Sequence, residues 1–312
     1  MAKVAVIGGG NVGATLAHVL AQGDVASTVT LVDVVEGLPQ GKALDMREAG
    51  PIQDFDCAVT GTNDAAAGVA GADVVVMTAG LARKPGMDRM DLLKKNLDIV
   101  AGAMRAVKEK APDAVVVMVT NPLDVMTWVA LRVTGFPRER VVGMAGVLDS
   151  ARMRAFIAME LGVSVVDVSA MVLGGHGDTM VPLPRYSTVN GVPITELLPA
   201  EAIDRISNRT RAGGAEIVNL LKTGSAYYAP ATCSAQMVEA VLKDRGHLLP
   251  ACVALEGEYG ERDICLGVPV ILGSRGVRKV VELRLTESEK AILKKSADSV
   301  RKGIEEVRGL LG

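Results

Sequence analysis

The chain of 312 residues carries 34 basic and 36 acidic side chains, a formal net charge of −2, with 49% apolar and 22% charged residues; this length suits roughly two domains with a sizeable core. A balance of this kind, with no extended basic block, leaves no electrostatic footprint for nucleic acid or for an anionic membrane. Eight aromatic residues are too few for a base-stacking platform, and Cys57, Cys233, Cys252 and Cys265, which include no C-x-x-C pair, speak against a zinc knuckle or a disulfide framework and fit a reducing compartment.

The first residues hold one lysine, a short apolar run and three glycines, which lacks the apolar region of a signal peptide, and no apolar stretch reaches membrane-spanning length. A cytoplasmic location is expected. Uninterrupted β-branched runs at 4–7, 29–32, 74–77 and 115–119 read as strands buried on both faces of a parallel sheet. Between them, residues 13–20 and 91–107 space their apolar side chains by three and four, and Pro112 closes the second stretch. They predict crossover helices, hence a doubly wound α/β sheet. The rhythm changes near Gly146, where a domain boundary is placed: 1–146 for dinucleotide binding and 147–312 for a mixed α+β catalytic domain. Beyond it the pattern predicts a long helix at 151–161, an apolar segment at 165–173, helices around 203–221 and 235–242, and strands at 269–272 and 277–285. Thr286 and Glu289 then open a last helix as a capping box. Its stripe of Leu293, Ala297, Val300, Ile304, Val307 and Leu311 is one packing face, read as resting on its own domain.

Gly8, Gly10 and Gly13 form G-x-G-x-x-G directly after the first strand, and Asp33 ends the second strand twenty residues after Gly13. The order strand, glycine turn, helix start, strand, acid is what a mononucleotide-binding half requires. Gly8 permits the turn, Gly10 lets a pyrophosphate approach the backbone, and Gly13 lets the helix pack on the strand. Asp33 would accept from an adenosine ribose and repel a 2′-phosphate, so the expected cofactor is NAD. No phosphate-binding G-x-x-x-x-G-K-[ST] loop competes with it.

Of the three histidines, His18 lies inside an apolar helical stretch and His247 in a Gly/Pro-flanked segment without an acid in register. His176 differs. It follows the apolar run 171–173 inside Gly174-Gly175-His176-Gly177-Asp178, where glycines would clear space around an imidazole, and it is the candidate acid–base residue. Asp149 and Arg152, three apart at a helix start, share one face. Arg83, Lys84 and Arg89, with Pro85-Gly86 among them, occupy a loop after the third predicted strand; such loops face the ligand crevice, and this one reads as a mobile lid carrying charge to a substrate. No His/Cys cluster or H-E-x-x-H spacing implies a metal.

With these segments in hand the chain resembles the lactate and malate dehydrogenases, most closely the lactate-dehydrogenase-like bacterial type of malate dehydrogenase. The likeness covers essentially the whole chain. It rests on Gly8-Gly9-Gly10-Asn11-Val12-Gly13, Ala82-Arg83-Lys84-Pro85-Gly86-Met87-Asp88-Arg89, Val119-Thr120-Asn121-Pro122, Asp149-Ser150-Ala151-Arg152 and Gly174-Gly175-His176-Gly177-Asp178. Gly9 departs from it, since alanine is frequent there in the family.

The resemblance implies reversible hydride transfer between (S)-malate and NAD, cofactor binding first. It assigns His176 as proton acceptor, Asp149 as its orienting anion, Arg152 to the substrate's C1 carboxylate through a bidentate fork, Arg89 to the carbonyl oxygen and Asn121 to a substrate hydrogen bond. Gly8, Gly10, Asn11, Val12, Gly13, Asp33, Asn96, Val119 and Asn121 are implied cofactor contacts. Arg83 decides the substrate, because that loop position tends to glutamine in lactate enzymes and arginine in malate enzymes; an unpaired buried arginine would penalise pyruvate about a thousandfold. The segment Gly224-Ser225-Ala226-Tyr227-Tyr228 resembles a pocket-lining helix of the family, with Ala226 leaving room for a dicarboxylate. A homodimer or homotetramer is implied, the helices after Ala151 and Thr286 being candidate interfaces. A lactate dehydrogenase and a non-catalytic NAD(H)-binding regulator are the alternatives.

Overall fold

The computed structural model describes residues 2–81 and 89–311, and of Arg89 and Asp91 the backbone alone. The first half alternates β1 (Lys3–Ile7), α1 (Asn11–Gln22), β2 (Thr28–Val32), α2 (Leu38–Gln53), β3 (Ala58–Thr62), α3 (Ala65–Val69), β4 (Val74–Met77), α4 (Arg89–Lys110), β5 (Val115–Met118), α5 (Leu123–Thr134) and β6 (Val141–Gly143). These six strands pair in parallel in the order β3-β2-β1-β4-β5-β6, the doubly wound arrangement whose crevice lies at the carboxyl ends of the strands. All four residues of β4 and of β5 are buried, as the uninterrupted apolar runs require.

The second half begins with α6 (Gly146–Leu161) and small strands β7 (Val168–Ser169), β8 (Val172–Leu173), β9 (Val181–Pro182), β10 (Thr188–Val189) and β11 (Val192–Pro193). Helices α7 (Ile194–Leu197), α8 (Ala200–Leu221) and α9 (Tyr228–Leu242) follow, then β12 (His247–Glu256), β13 (Arg262–Gly273), β14 (Gly276–Val280) and α10 (Glu287–Arg308). The segment expected at 165–173 is thus a short turn and two two-residue strands, and the strand expected at 277–285 pairs only as far as Val280.

Past Gly146 the main sheet is extended rather than replaced. β12, β13 and β14 are antiparallel to one another and join the parallel sheet where Cys252 of β12 pairs with Gly143 of β6. One core runs through both halves, while a smaller cluster of Met153, Ile157, Val168, Met180, Ile194 and Ile206 lies under the β7–β10–β11 sheet. α9 packs on α1 and on β4 and β5, so the second half presses directly on the first. The capping box of Thr286 and Glu289 forms, and Leu293, Ala297, Val300, Ile304 and Val307 are buried.

Candidate active site

At the end of β1 the chain turns at Gly8, whose φ of +108° is strained for any side chain. A Cβ on Gly13 would stand 1.8 Å from the Gly8 carbonyl oxygen, so α1 closes on this turn only because Gly13 has none. A Cβ on Gly10 would meet nothing within 4 Å. Gly10 precedes α1 without any side-chain cap, which leaves the first-turn N–H groups free and adds the positive end of the helix dipole, a ready anion site. Asp33 accepts from the Gly9 N–H at 2.6 Å and the Val35 N–H at 2.9 Å; Lys42 donates to the Gly9 carbonyl at 2.7 Å; the Thr78 hydroxyl lies 3.0 Å from the Ile7 carbonyl and 3.1 Å from that of Gly8. The loop is therefore clamped from three sides, and its cradle fits a dinucleotide pyrophosphate, which a Cβ at Gly13 would abolish.

On the opposite wall β8 ends at Gly174, which exchanges two backbone hydrogen bonds with Gly267 of β13, at 2.8 and 3.2 Å. His176 follows, held at two points. Its Nδ1–H donates to Asp149 Oδ2 at 2.9 Å and its backbone N–H to Asp124 Oδ2 at 2.8 Å. Because a carboxylate can only accept, Nδ1 carries the proton in the neutral ring and Nε2 keeps its lone pair. Asp149 is 2% exposed, sits in the first turn of α6 where the helix dipole favours an anion, and also accepts from Arg152 Nη1 at 3.2 Å. Burial by itself would lower the imidazole pKa; the Asp149 carboxylate outweighs it, helped by Asp124 and opposed by Arg152, and the net shift is upward. Burial likewise raises the Asp124 carboxyl, against the bond it receives from the His176 N–H.

Arg152 Nε is buried and has no hydrogen-bond partner among the described residues. The guanidinium lies along α8, where a Cβ on Gly213 would come within 3.1 Å of Arg152 Cδ, so a glycine there makes room for it. A buried guanidinium with an unused donor is fitted to a carboxylate. Gly10, Asn11, Val12, Gly13, Asn96, Val119, Asn121, Arg152 and His176 all line one cavity of about 640 Å³. Gly8 and Asp33 lie behind its glycine wall and Asp149 behind His176. Arg83 lies outside the described residues, as does the side chain of Arg89; the backbone of Arg89 opens α4 instead of belonging to the preceding loop.

The Asn96 amide is 1% exposed, accepts from the Leu81 N–H at 2.8 Å and donates to the Asn121 carbonyl at 2.8 Å, tying the segment after β4 to the one after β5. Thr120 does the same, donating to Ala79 O at 2.7 Å. The Asn121 side chain is exposed. Residues 224–227 line the cavity as the link between α8 and α9 rather than as a helix.

Sequence reasoning missed Asp124 and Ser296. Two of the glycines around His176 also serve differently than expected. A Cβ on Gly174 would lie 2.8 Å from Ser296 Oγ and one on Gly175 2.8 Å from Val300 Cγ2, while the Gly175 N–H donates to Ser296 Oγ at 2.8 Å. They clear space for α10, not for the imidazole, and the last helix buttresses the histidine loop. Lys294 and Arg301 pin that helix to the buried Glu261, next to β13, at 3.0 and 2.6 Å.

A doubly wound sheet with a glycine cradle at one wall and an acid–histidine–arginine cluster at the other defines a dinucleotide-dependent oxidoreductase. Comparison with known proteins agrees. Residues 2–143 match the lactate/malate dehydrogenase, NAD binding domain, and residues 146–310 the lactate/malate dehydrogenase, alpha/beta C-terminal domain. The malate dehydrogenase of Thermomicrobium roseum is 56% identical over 308 residues, 99% of each chain. The solved malate dehydrogenase of Salinibacter ruber matches with a TM-score of 0.94 at 52% identity, covering 99% of this chain and 98% of that one. The lactate dehydrogenase of Eimeria maxima, solved with NADH and oxamate, gives 0.94 at 40% identity, over 99% and 95%. The chain belongs to the lactate/malate dehydrogenase family.

Proposed function

We propose that this protein is an NAD-dependent malate dehydrogenase in which His176 and Asp149 form the acid–base pair. The observation that carries the reading is the 2.9 Å bond from His176 Nδ1 to an Asp149 carboxylate shared with Arg152, in a cavity whose other wall is the glycine cradle. NAD bound in that cradle supplies the acceptor for the C2 hydride. His176 Nε2 takes the hydroxyl proton of malate, and Asp149 holds the ring in register and stabilises the imidazolium that results. Arg152 grips the C1 carboxylate, and Asn121 donates from the cavity wall. From the family resemblance, Arg89 is assigned to the carbonyl oxygen as charge grows on it and Arg83 to the second carboxylate. Gly8, Gly10, Asn11, Val12, Gly13, Asp33, Asn96, Val119 and Asn121 form the cofactor site, Asn96 by positioning the segments on either side. Exposed apolar side chains on α2, α6 and α8, among them Ile52, Met159 and Leu220, support assembly into a homodimer or homotetramer. No described helix is long and apolar enough to cross a membrane, and we place the protein in the cytoplasm.

The test is NADH oxidation by purified protein with oxaloacetate and pyruvate in parallel. Fast turnover of oxaloacetate with little of pyruvate is expected. The reverse would make the protein a lactate dehydrogenase, and NADH binding without turnover of either would make it a regulator.

A further inference from the structure

α8 turns one stripe toward the active-site cavity: Arg211, Gly214, Ala215 and Val218 all line it, at the spacing that puts residues on a single helical face. The middle of the stripe carries almost no side chain, and there the Arg152 guanidinium lies 3.7 Å from where a Gly214 Cβ would stand. Arg211 closes the stripe at the end beside Met180. Its Nε donates to the Met180 carbonyl at 3.3 Å and its Nη1 to Asn208 Oδ1 at 3.0 Å, two neutral acceptors that fix the guanidinium without neutralising it. Among the described residues it makes no ion pair. Asp204 on the same helix acts on it only through space, and Asp178, which lines the same cavity, gives it no bond. By contrast Arg209, two residues earlier on another face of α8, is held by Glu216 at 2.8 and 3.0 Å.

A half-buried cation fixed by two neutral acceptors and without a counter-ion among the described residues, set in the wall of a cavity that also holds Arg152, is fitted to an anionic group. We propose that Arg211 is a further specificity-determining residue, one that meets the second carboxylate of the dicarboxylate substrate from the α8 wall in addition to the Arg83 assigned to that group. This rests on the malate–oxaloacetate reading and deepens it. Arg211 favours a 2-oxo dicarboxylate over a monocarboxylate by a charge present only in the former, and it takes no part in moving the proton or the hydride.

The experiment compares Arg211→Gln and Arg211→Lys with wild type, using oxaloacetate as substrate and oxamate, which has one carboxylate, as competitive inhibitor. For Arg211→Gln, kcat/KM with oxaloacetate falls about tenfold or more, as loss of a charged hydrogen bond predicts, while kcat, the oxamate inhibition constant and the NADH affinity stay within about twofold. Arg211→Lys recovers part of the loss, since the charge remains and the fork does not. Raising the salt concentration weakens oxaloacetate use more in wild type than in Arg211→Gln. An unchanged KM for oxaloacetate in Arg211→Gln overturns the proposal, as does an equal loss for oxaloacetate and oxamate, which marks a structural role. A wild-type protein inert toward oxaloacetate would instead sink the reading beneath it, and this assignment with it.

Discussion

The two walls of the cavity are built by opposite means. The glycine wall is made of backbone: over the turn at Gly8, residues Gly10 and Gly13 and the uncapped start of α1 offer N–H groups and space that side chains would fill. The catalytic wall is made of buried charge, with Asp149 and Asp124 beneath His176 and Arg152 joined to the first of them. A backbone wall has no proton to lose across the physiological range but tolerates no Cβ at its tightest point. A charged wall is organised in advance by desolvation, and removal of one member leaves the others buried without compensation.

The largest expected effects fall on the charged wall. His176→Ala removes the proposed proton acceptor and is expected to lower kcat by roughly 10³–10⁴-fold while NADH affinity, measured by fluorescence titration, stays as in wild type. Weakened NADH binding in that variant would mean that the walls are not separable. Asp149→Asn keeps the shape but loses the anion that both His176 and Arg152 share, and kcat falls by roughly 10²–10³-fold.

The pH profile sharpens the same contrast. Because the carboxylates raise the His176 pKa above its ordinary value, oxaloacetate reduction, which needs imidazolium, persists above pH about 6.5 and declines as pH rises through the raised pKa. Malate oxidation needs the neutral ring and rises over the same interval. In Asp149→Asn both limbs move to lower pH; limbs that stay in place would show that Asp149 does not set this pKa. The linkage to stability has the matching sign: a raised folded pKa contributes stability that is complete below the unfolded value and disappears as pH climbs through the folded one.

Gly13→Ala attacks the other wall. Its Cβ would collide with a carbonyl oxygen of the backbone, so α1 must move off β1, with a loss of about 1–3 kcal/mol in unfolding free energy and a higher KM for NADH. With NADH saturating, kcat stays near that of wild type.

What the sequence disclosed follows the same division. β4 and β5 are buried on both faces, so four apolar residues in a row announce each of them; the glycine fingerprint is equally local, because each glycine answers a constraint a few residues away. β3 at the sheet edge buries only Val59, between exposed Ala58 and Thr60, with Gly61 and Thr62 half-buried, and leaves no such run. β12 is hidden by Pro250, which usually marks the end of a strand, yet it pairs with Pro269 of β13 at a position where neither residue has an N–H to give. The charged wall is assembled over long separations. Asp149 and Arg152 announce their shared face by spacing, but their meeting with His176 was legible only through the family resemblance. Asp124 reads as an ordinary acid in the first turn of a helix, and nothing in its spacing points 52 residues ahead to the His176 N–H. Ser296, 121 residues from Gly175, sits beside a stripe that reads as plain packing.

The smallest predicted effect is the most discriminating for the backbone wall. Gly9→Ala makes the same chemical change as Gly13→Ala within the same loop, and by distance alone it too is crowded, since its Cβ would stand 2.6 Å from Leu38 Cδ2 and 3.1 Å from Asp33 Cβ. The difference is what can yield. Leu38 Cδ2 is the end of a rotatable side chain at the start of α2, and a change of rotamer restores contact distance, whereas the Gly8 carbonyl facing Gly13 is fixed by the turn and by the 2.7 Å bond from the Gly8 N–H to Val32 O. Gly9→Ala therefore changes stability by less than about 1 kcal/mol and leaves the KM for NADH within about twofold, as measured by thermal unfolding and initial rates. A loss equal to that of Gly13→Ala would show that Asp33, which accepts the Gly9 N–H at 2.6 Å, makes this position as rigid as the turn itself.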